Sequence, residues 1–354
     1  MDKKKFKFDV VIGNPPYQED APGDSTSDKP IYHLFMDSAY MIGRSVELIT
    51  PARFLFNAGA TPKKWNRKML NSEHIKTLYY TADASKVFPN TAITGGVVVT
   101  YFNESQKFTP IKTFIPFKEL RSINNKVHNY KNFESMSSIV SGRTPYSFTD
   151  QMHAENPHAK EKLSKGHAKD ISSNAFKALP EVFVTTGENS NEYCRVLGRL
   201  HNKRTYLWIK RKYAKGREDG FISRWKVFLP KANGASGMLG KKAARMISKP
   251  TIGKPNDIAT DTFLVVGSFE TREEAVACLK YLESKFARAL LGTLKVTQIN
   301  SKETWRNVPV HNFSAESDID WSASAKQIDL QLYNKYLLDN DEINFIETHI
   351  KEMD

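Results

Sequence analysis

The chain opens as short apolar runs separated by polar stretches. Phe8-Asp9-Val10-Val11-Ile12 is the first run, and it stops at Gly13-Asn14-Pro15-Pro16. Neither proline can donate to a ladder, so this reads as a strand ended by a turn. Its near-continuous apolar character suits an interior parallel strand. Gln18 to Lys29 is polar and rich in turn formers, which predicts a surface loop. Pro30 then opens a helix, with Ile31, Leu34, Phe35, Ser38 and Ile42 on one face. Val46-Glu47-Leu48-Ile49 predicts a second strand, closed by Thr50-Pro51. Thr61-Pro62 reads as the N-cap and first residue of a helix through Leu70. His74 to Thr81 and Gly95 to Phe102 predict two more strands, joined by the loop Ala82 to Thr94.

The order β-α-β-α-β-β predicts an α/β domain built on part of a doubly wound, Rossmann-like sheet. Its first three strands are expected to be parallel. The fourth follows by a loop and is expected to pair antiparallel. From about Ser137 the texture changes to Gly-punctuated polar segments with short strands, such as Tyr206 to Ile209 and Lys226 to Leu229. This predicts a mixed α+β domain. Lys231 to Gly240 is Gly-rich and reads as a mobile loop, and Arg272 to Leu291 as one helix. Asp339 and Glu342 form a capping box for a last helix carrying Ile343, Ile346 and Ile350. The expected division is 1–115, 116–312 and an acidic helical tail, 313–354.

Charge sharpens this picture. The 354 residues hold 52 Lys+Arg against 39 Asp+Glu, for a net charge of +13. Arg195 to Lys254 alone carries 17 Lys/Arg and two acids, so the rest of the chain is close to neutral. Phe313 to Asp354 carries three Lys and ten acids. A basic block interleaved with Tyr206, Trp208, Tyr213, Phe221, Trp225 and Phe228 suggests an electrostatic footprint for nucleic acid. The competing reading is a solvated basic face over ordinary strand-core aromatics. Arg211, Lys212, Arg217, Arg224, Lys226 and Lys231 are candidate DNA contacts on density alone. No apolar run is long enough to span a bilayer, and the basic N-terminus lacks a signal-type apolar segment. Two cysteines, Cys194 and Cys278, build neither a disulfide framework nor a Cys-rich zinc site. A cytoplasmic protein with an anionic partner is the expectation.

The residues that carry chemistry are Asn14-Pro15-Pro16-Tyr17. By average residue usage this tetrapeptide arises by chance in such a chain at a frequency on the order of 10⁻³. It follows a strand directly, where open α/β sheets bind ligands. An exocyclic amine on a base is a poor nucleophile, because its lone pair is delocalised into the ring. The Asn14 side-chain oxygen and the Pro15 carbonyl are placed to accept both of its N–H bonds and draw the nitrogen towards tetrahedral geometry. Pro16 stiffens the turn. Tyr17 offers a flat ring for an extruded base.

These residues resemble the amino-group DNA methyltransferases, in particular the Asn-Pro-Pro-Tyr adenine-N6 branch and the Eco57I-type restriction–modification methylases. Lys29 to Phe35 resembles that family's helix after the catalytic loop, and Leu48 to Leu55 its next strand and turn. Val87-Phe88-Pro89-Asn90, with Ile93 and Gly95 to Val99, resembles the motif that brings a second aromatic to the target base. Arg224 to Gly234 and Val308-Pro309-Val310 resemble its recognition region more weakly. The resemblance implies a site-specific adenine-N6 methyltransferase of a restriction–modification system. It implies S-adenosylmethionine as methyl donor, a flipped adenine between Tyr17 and Phe88, and double-stranded DNA and a cognate restriction endonuclease as partners.

The family's donor-binding half precedes the catalytic strand, and here only about eight residues do. No G-x-G-x-x-G occurs; Gly234, Gly237 and Gly240 have the wrong spacing. The Asn14 loop borders the donor at most, and the other donor-binding residues are not legible. The expectation is that a separate S-adenosylmethionine-binding chain completes the sheet beside Val10, Val11 and Ile12. The alternative is a non-catalytic DNA-binding specificity subunit or a truncated, inactive remnant. Two other motifs get bland readings. His153-Ala154-Glu155 looks like a deaminase H-x-E but has no Pro-Cys-x-x-Cys partner, so no metal is expected. Glu283-Ser284-Lys285 reads as a solvated helix face.

Overall fold

The computed structural model describes residues 7–19, 29–91, 93–187, 191–233, 239–240 and 242–353. The chain divides into two compact units, Met1–Phe117 and Lys118–Asp354. Residues 313–354 fall within the second unit.

The first unit is built on a four-stranded sheet. Strand β1 is Phe8–Gly13, β2 is Gly43–Pro51, β3 is Ile75–Thr81 and β4 is Val97–Asn103. β1 runs parallel to β2, with Phe8 opposite Gly43 and Gly13 opposite Leu48. β4 pairs antiparallel with β2 on one side and with β3 on the other, with an irregularity between Thr77 and Tyr79. The spatial order is therefore β1-β2-β4-β3. The three strands expected to be parallel point the same way, and the fourth runs against them. It sits between β2 and β3, so β2 and β3 never touch.

Helix α1 (Tyr32–Ile42) connects β1 to β2, and α2 (Lys63–Leu70) lies between β2 and β3. The inward face of α1 is Tyr32, Met36, Ala39 and Tyr40, with Tyr40 stacked on Phe102 at 4.3 Å. This corrects the sequence expectation, because Leu34, Phe35 and Ile42 are exposed. Apolar residues occupy both sides of this helix, and the side carrying Tyr32, Met36, Ala39 and Tyr40 is the one that packs into the core. Tyr32, Phe54 and Trp65 pack edge to face, extending the core under α2. Pro62 precedes α2, but the Thr61 hydroxyl meets the Asn66 side chain at 2.8 Å instead of capping the helix.

The second unit holds two three-stranded sheets. In one, β8 (Trp225–Pro230) is flanked antiparallel by β9 (Thr251–Gly253) and β11 (Phe263–Phe269). In the other, β5 (Tyr193–Leu200) pairs antiparallel with β6 (Lys203–Lys210) and parallel with β10 (Asp257–Ala259). Strand β7 (Ala214–Gly216) forms a small ribbon with Tyr146–Phe148. The Gly-rich stretch 234–238, part of the expected mobile loop, lies outside the described residues.

The helix expected over Arg272–Leu291 is two helices, α3 (Arg272–Glu283) and α4 (Lys285–Leu291). Ser284 breaks it with an extended backbone (ψ 145°) and caps α4 by accepting from the Ala287 N–H. The Asp329 carboxylate then accepts from the Lys285 and Phe286 N–H groups, covering donors the break exposes. The Asp339–Glu342 capping box forms as expected and opens α6 (Asn340–His349), after α5 (Ala325–Lys335).

Candidate active site

β1 and β2 are parallel and end side by side. Each is followed by a tight turn, and a cleft of about 760 Å³ opens there. All four residues of Asn14-Pro15-Pro16-Tyr17 line it. The opposite walls come from the turn after β2 (Pro51, Arg53, Ala58 to Thr61) and from Thr91, Ile93 and Thr94. The Tyr17 carbonyl accepts from the Ile31 and Tyr32 N–H groups at 3.1 and 3.4 Å, tying the turn to the start of α1. Gln18–Glu19 then pairs with Lys29–Pro30, so the catalytic-type turn is clamped at its exit. A ligand at the carboxyl ends of parallel strands is the arrangement open α/β sheets favour.

Within the cleft Asn14 is exposed and Tyr17 is half-buried. The Tyr17 hydroxyl is buried without a hydrogen-bond partner. Burial pushes the phenol up to about 12, so it stays protonated at neutral pH. Phe88 rides on a short turn over Ala84–Lys86, its N–H donating to the Ala84 carbonyl at 2.9 Å. The Tyr17 and Phe88 rings meet, with centroids 6.3 Å apart and planes at 71°. The two predicted aromatics are therefore brought together, but edge to face. Holding a flat base between them requires near-parallel rings about 7 Å apart, two van der Waals contacts. One ring must turn before a base fits.

Arg53 is the functional candidate that sequence reasoning passed over. It is the one charged side chain among the described cleft-lining residues. Its Nε donates to the Thr94 carbonyl at 2.6 Å. The signal was its place just past the end of the second parallel strand. Among the described lining residues no carboxylate is available to accept ribose hydroxyls.

The basic block needs correction at one position. Lys226 is fully buried, and its ammonium donates to the Ile222 and Asp257 carbonyls at 2.8 and 3.2 Å. Burial lowers it to about 7, against the opposing pull of Asp257. It points inward from a central strand, so it offers nothing to a phosphate. The other candidates are at least partly exposed, but each is tied within the protein. Arg211 donates to the Ala214 carbonyl at 3.1 Å, and Lys212 pairs with Glu155 at 2.6 Å. Arg217 lies over Phe221 and beside Glu218. Arg224 pairs with Glu270, and Lys231 with Asp261.

Two unpredicted cations are tied to neutral groups: Arg199 donates to the Asn202 carbonyl at 3.3 Å, and Arg204 donates to the Lys249 carbonyl at 2.7 Å and lies over the Phe263 ring. Arg199 and Arg204 are exposed and directly opposite across the β5–β6 hairpin, with no acidic partner among the described residues. They line, with Lys231, a smaller cleft of about 360 Å³. Like charges in that register repel unless an anion lies between them. The two-residue turn His201-Asn202, both at positive φ, was the signal that pairs them.

Glu283-Ser284-Lys285 is not the solvated helix face expected: Ser284 is buried at the break between α3 and α4, and the mostly buried Lys285 side chain pairs with Glu347 at 2.5 Å. His153 is buried with Nε2 2.9 Å from the Ala168 carbonyl. Glu155 is held down to about 2 by hydrogen bonds from Lys212, Tyr213 and Gln151. No group of three or more His, Cys, Asp or Glu among the described residues is arranged for a metal ion. Cys194 and Cys278 are buried free thiols. No described helix is long and apolar enough to cross a membrane.

Comparison with known proteins finds similarity over the part of the chain that holds this site. Residues 1–88, which contain β1, the Asn14 turn, Arg53 and Phe88, match the family described as Eco57I restriction-modification methylase. A stretch of 95 residues is 31% identical to an uncharacterized adenine-specific methylase of Mycoplasma pneumoniae (strain ATCC 29342 / M129), covering 26% of this chain and 22% of that protein. The match thus spans less than a quarter of the relative's length. Two solved structures are distantly similar. The type IIG restriction endonuclease BpuSI matches at a TM-score of 0.34 and 12% identity, over 92% of this chain and 49% of that one. The type IIL restriction-modification enzyme MmeI matches at 0.33 and 11%, over 96% and 56%. The chain spans about half the length of each.

Proposed function

We propose that the chain is the catalytic and target-recognition part of a site-specific DNA adenine-N6 methyltransferase of a restriction–modification system. One observation carries the reading: Asn14 opens into a cleft at the carboxyl ends of parallel strands, and the half-buried Tyr17 lines the same cleft. The Asn14 carboxamide oxygen and the Pro15 carbonyl accept the two N–H bonds of the adenine amine. Those hydrogen bonds polarise both N–H bonds towards nitrogen and draw it towards tetrahedral geometry, leaving its lone pair less delocalised and more nucleophilic. Tyr17 and Phe88 hold the flipped base once one ring has rotated. S-adenosylmethionine, the donor this reading implies, supplies an electrophilic methyl group. No general base is required of the cleft, since the amine gives up its proton to solvent after alkylation.

A further chain or segment holds the donor in this reading. Two features support it: no carboxylate lines the cleft and β1 pairs only with β2, both among the described residues. Val10 and Ile12 on β1 are 60% and 76% exposed, an apolar strand suited to being covered. Double-stranded DNA is the substrate, and the partly exposed cations of the second unit contact its phosphates. A cognate restriction endonuclease is a further partner.

The lack of a lining carboxylate among the described residues equally favours a second reading, a DNA-binding subunit without activity of its own. Both are tested by expressing the chain with its adjoining reading frames and mapping N6-methyladenine in the host DNA. The methyltransferase reading expects methylation that drops about 10²- to 10³-fold in Asn14→Ala. Methylation that survives Asn14→Ala, or never appears, refutes it.

A further inference from the structure

Arg53 is placed and restrained in a way the amine chemistry does not require. It lies on the short helical turn Ala52–Phe56 that follows β2. Its aliphatic stem runs between Gly59 and Gly95, at φ +79° and +90°. A methyl group added at Gly59 would stand 3.1 Å from the Arg53 Cδ, and one at Gly95 would stand 3.0 Å from its Cγ. The Nε–H is fixed on the Thr94 carbonyl. Two residues that must be small, and one backbone acceptor, thus aim a single guanidinium.

What remains is the pair of terminal amino groups. Among the described residues no carboxylate pairs with them and no acid lines the cleft. Arg53 also acts on the Tyr32 phenol at the cleft floor, opposing the burial that raises it to about 12. A pre-aimed, unpaired guanidinium in such a cleft favours a planar oxyanion or phosphate. The adenine ring carries no anion; its nucleotide does.

We propose that Arg53 is a positioning residue that binds the phosphate of the extruded nucleotide, fixing the sugar-phosphate while Asn14 holds the amine. This inference rests on the adenine site proposed above and adds a second point of attachment to it. Two fixed points determine the base's orientation, which one amine contact does not.

The test titrates the full-length chain with deoxyadenosine, deoxyadenosine 5′- and 3′-monophosphates, thymidine 5′-monophosphate and S-adenosylhomocysteine, followed by protein-observed NMR. In the wild type one deoxyadenosine monophosphate should bind about tenfold or more tighter than deoxyadenosine. That ratio should fall to about one in Arg53→Ala and be partly restored in Arg53→Lys, which keeps the charge. A wild type that holds deoxyadenosine but gains nothing from either phosphate overturns the inference and leaves the adenine site standing. So does an Arg53→Ala variant that weakens S-adenosylhomocysteine while the phosphate ratio persists, which would assign the guanidinium to a donor carboxylate. Thymidine monophosphate binding as tightly as its adenine counterpart, with the same dependence on Arg53, supports the phosphate site and refutes the adenine reading.

Discussion

Replacing Lys226 by methionine should stabilise the second unit in acid and do little in alkali. The ammonium is fully buried and its pKa falls from 10.5 to about 7. Both folded and unfolded chains hold the proton below pH 7, so there the folded state bears the whole burial penalty, about 5 kcal/mol. Between about 7 and 10.5 the unfolded chain binds more protons, so stability rises with pH through that window. From pH 6 to pH 9 this group alone should add roughly 3 kcal/mol. Methionine removes the penalty but leaves the Ile222 and Asp257 carbonyls short of a donor, an offset of about 1–3 kcal/mol. The Ile222 carbonyl keeps the Asn256 N–H, which holds this offset towards the low end. Lys226→Met should therefore be more stable than the wild type by roughly 2–4 kcal/mol at pH 6, with most of that gone by pH 9. Urea denaturation followed by tryptophan fluorescence at both pH values measures it. Stability profiles that run parallel from pH 6 to pH 9 would show that the ammonium is not suppressed. The same variant should leave the salt dependence of DNA binding unchanged, because no phosphate contact is lost.

Three further outcomes are expected. Tyr17→Phe removes a buried hydroxyl that has no partner, so it should raise thermal stability slightly and keep base binding, whereas Tyr17→Ala should lose about 1–3 kcal/mol of stacking; equal losses in adenosine affinity for both would contradict this. Asp257 is buried and accepts from Arg195 Nε and Nη2 at 2.9 and 2.7 Å, so Asp257→Ala should destabilise by about 3–5 kcal/mol in denaturant titration, and a change below 1 kcal/mol would show the pair to be dispensable. Ser284→Ala removes the α4 cap at the helix break, and should cost about 1 kcal/mol and speed amide exchange at Ala287; unchanged exchange there speaks against the cap.

The strands of the first unit were legible because each is a short β-branched run bounded by Pro, Gly or Asn. The Asn14 turn was legible for the same reason, since its prolines both end the strand and form the motif. The face of α1 was not, because Leu34 and Phe35 are as apolar as Met36 and Tyr40, and only packing against Phe102 separates them. The break at Ser284 involves no Gly or Pro, and the carboxylate that stabilises it is 45 positions away at Asp329. Cation density could not show which partners the basic residues have. Lys212, Arg224 and Lys231 meet Glu155, Glu270 and Asp261, acids distant in sequence, and Lys226 alternates inward on a strand whose two faces are both covered. Arg53 was hidden because what singles it out, the two glycines flanking its stem and the absence of an acid, exists only in three dimensions.

The placement of β4 between β2 and β3 has a consequence for how this protein is made. β2 is complete once residue 51 has left the ribosome, yet the strand that must lie against it ends at residue 103. At ordinary elongation rates of about 5–20 residues per second the nascent chain waits roughly 3–10 s for that partner. Through that interval β1 can already pair with one edge of β2, but Val46 and Leu48 stand beside an open ladder on the other, and the sheet is complete only when β4 arrives. Rare codons between these two strands would lengthen the wait and lower the yield of folded protein, whereas the same codons beyond Asn103 would spare this unit.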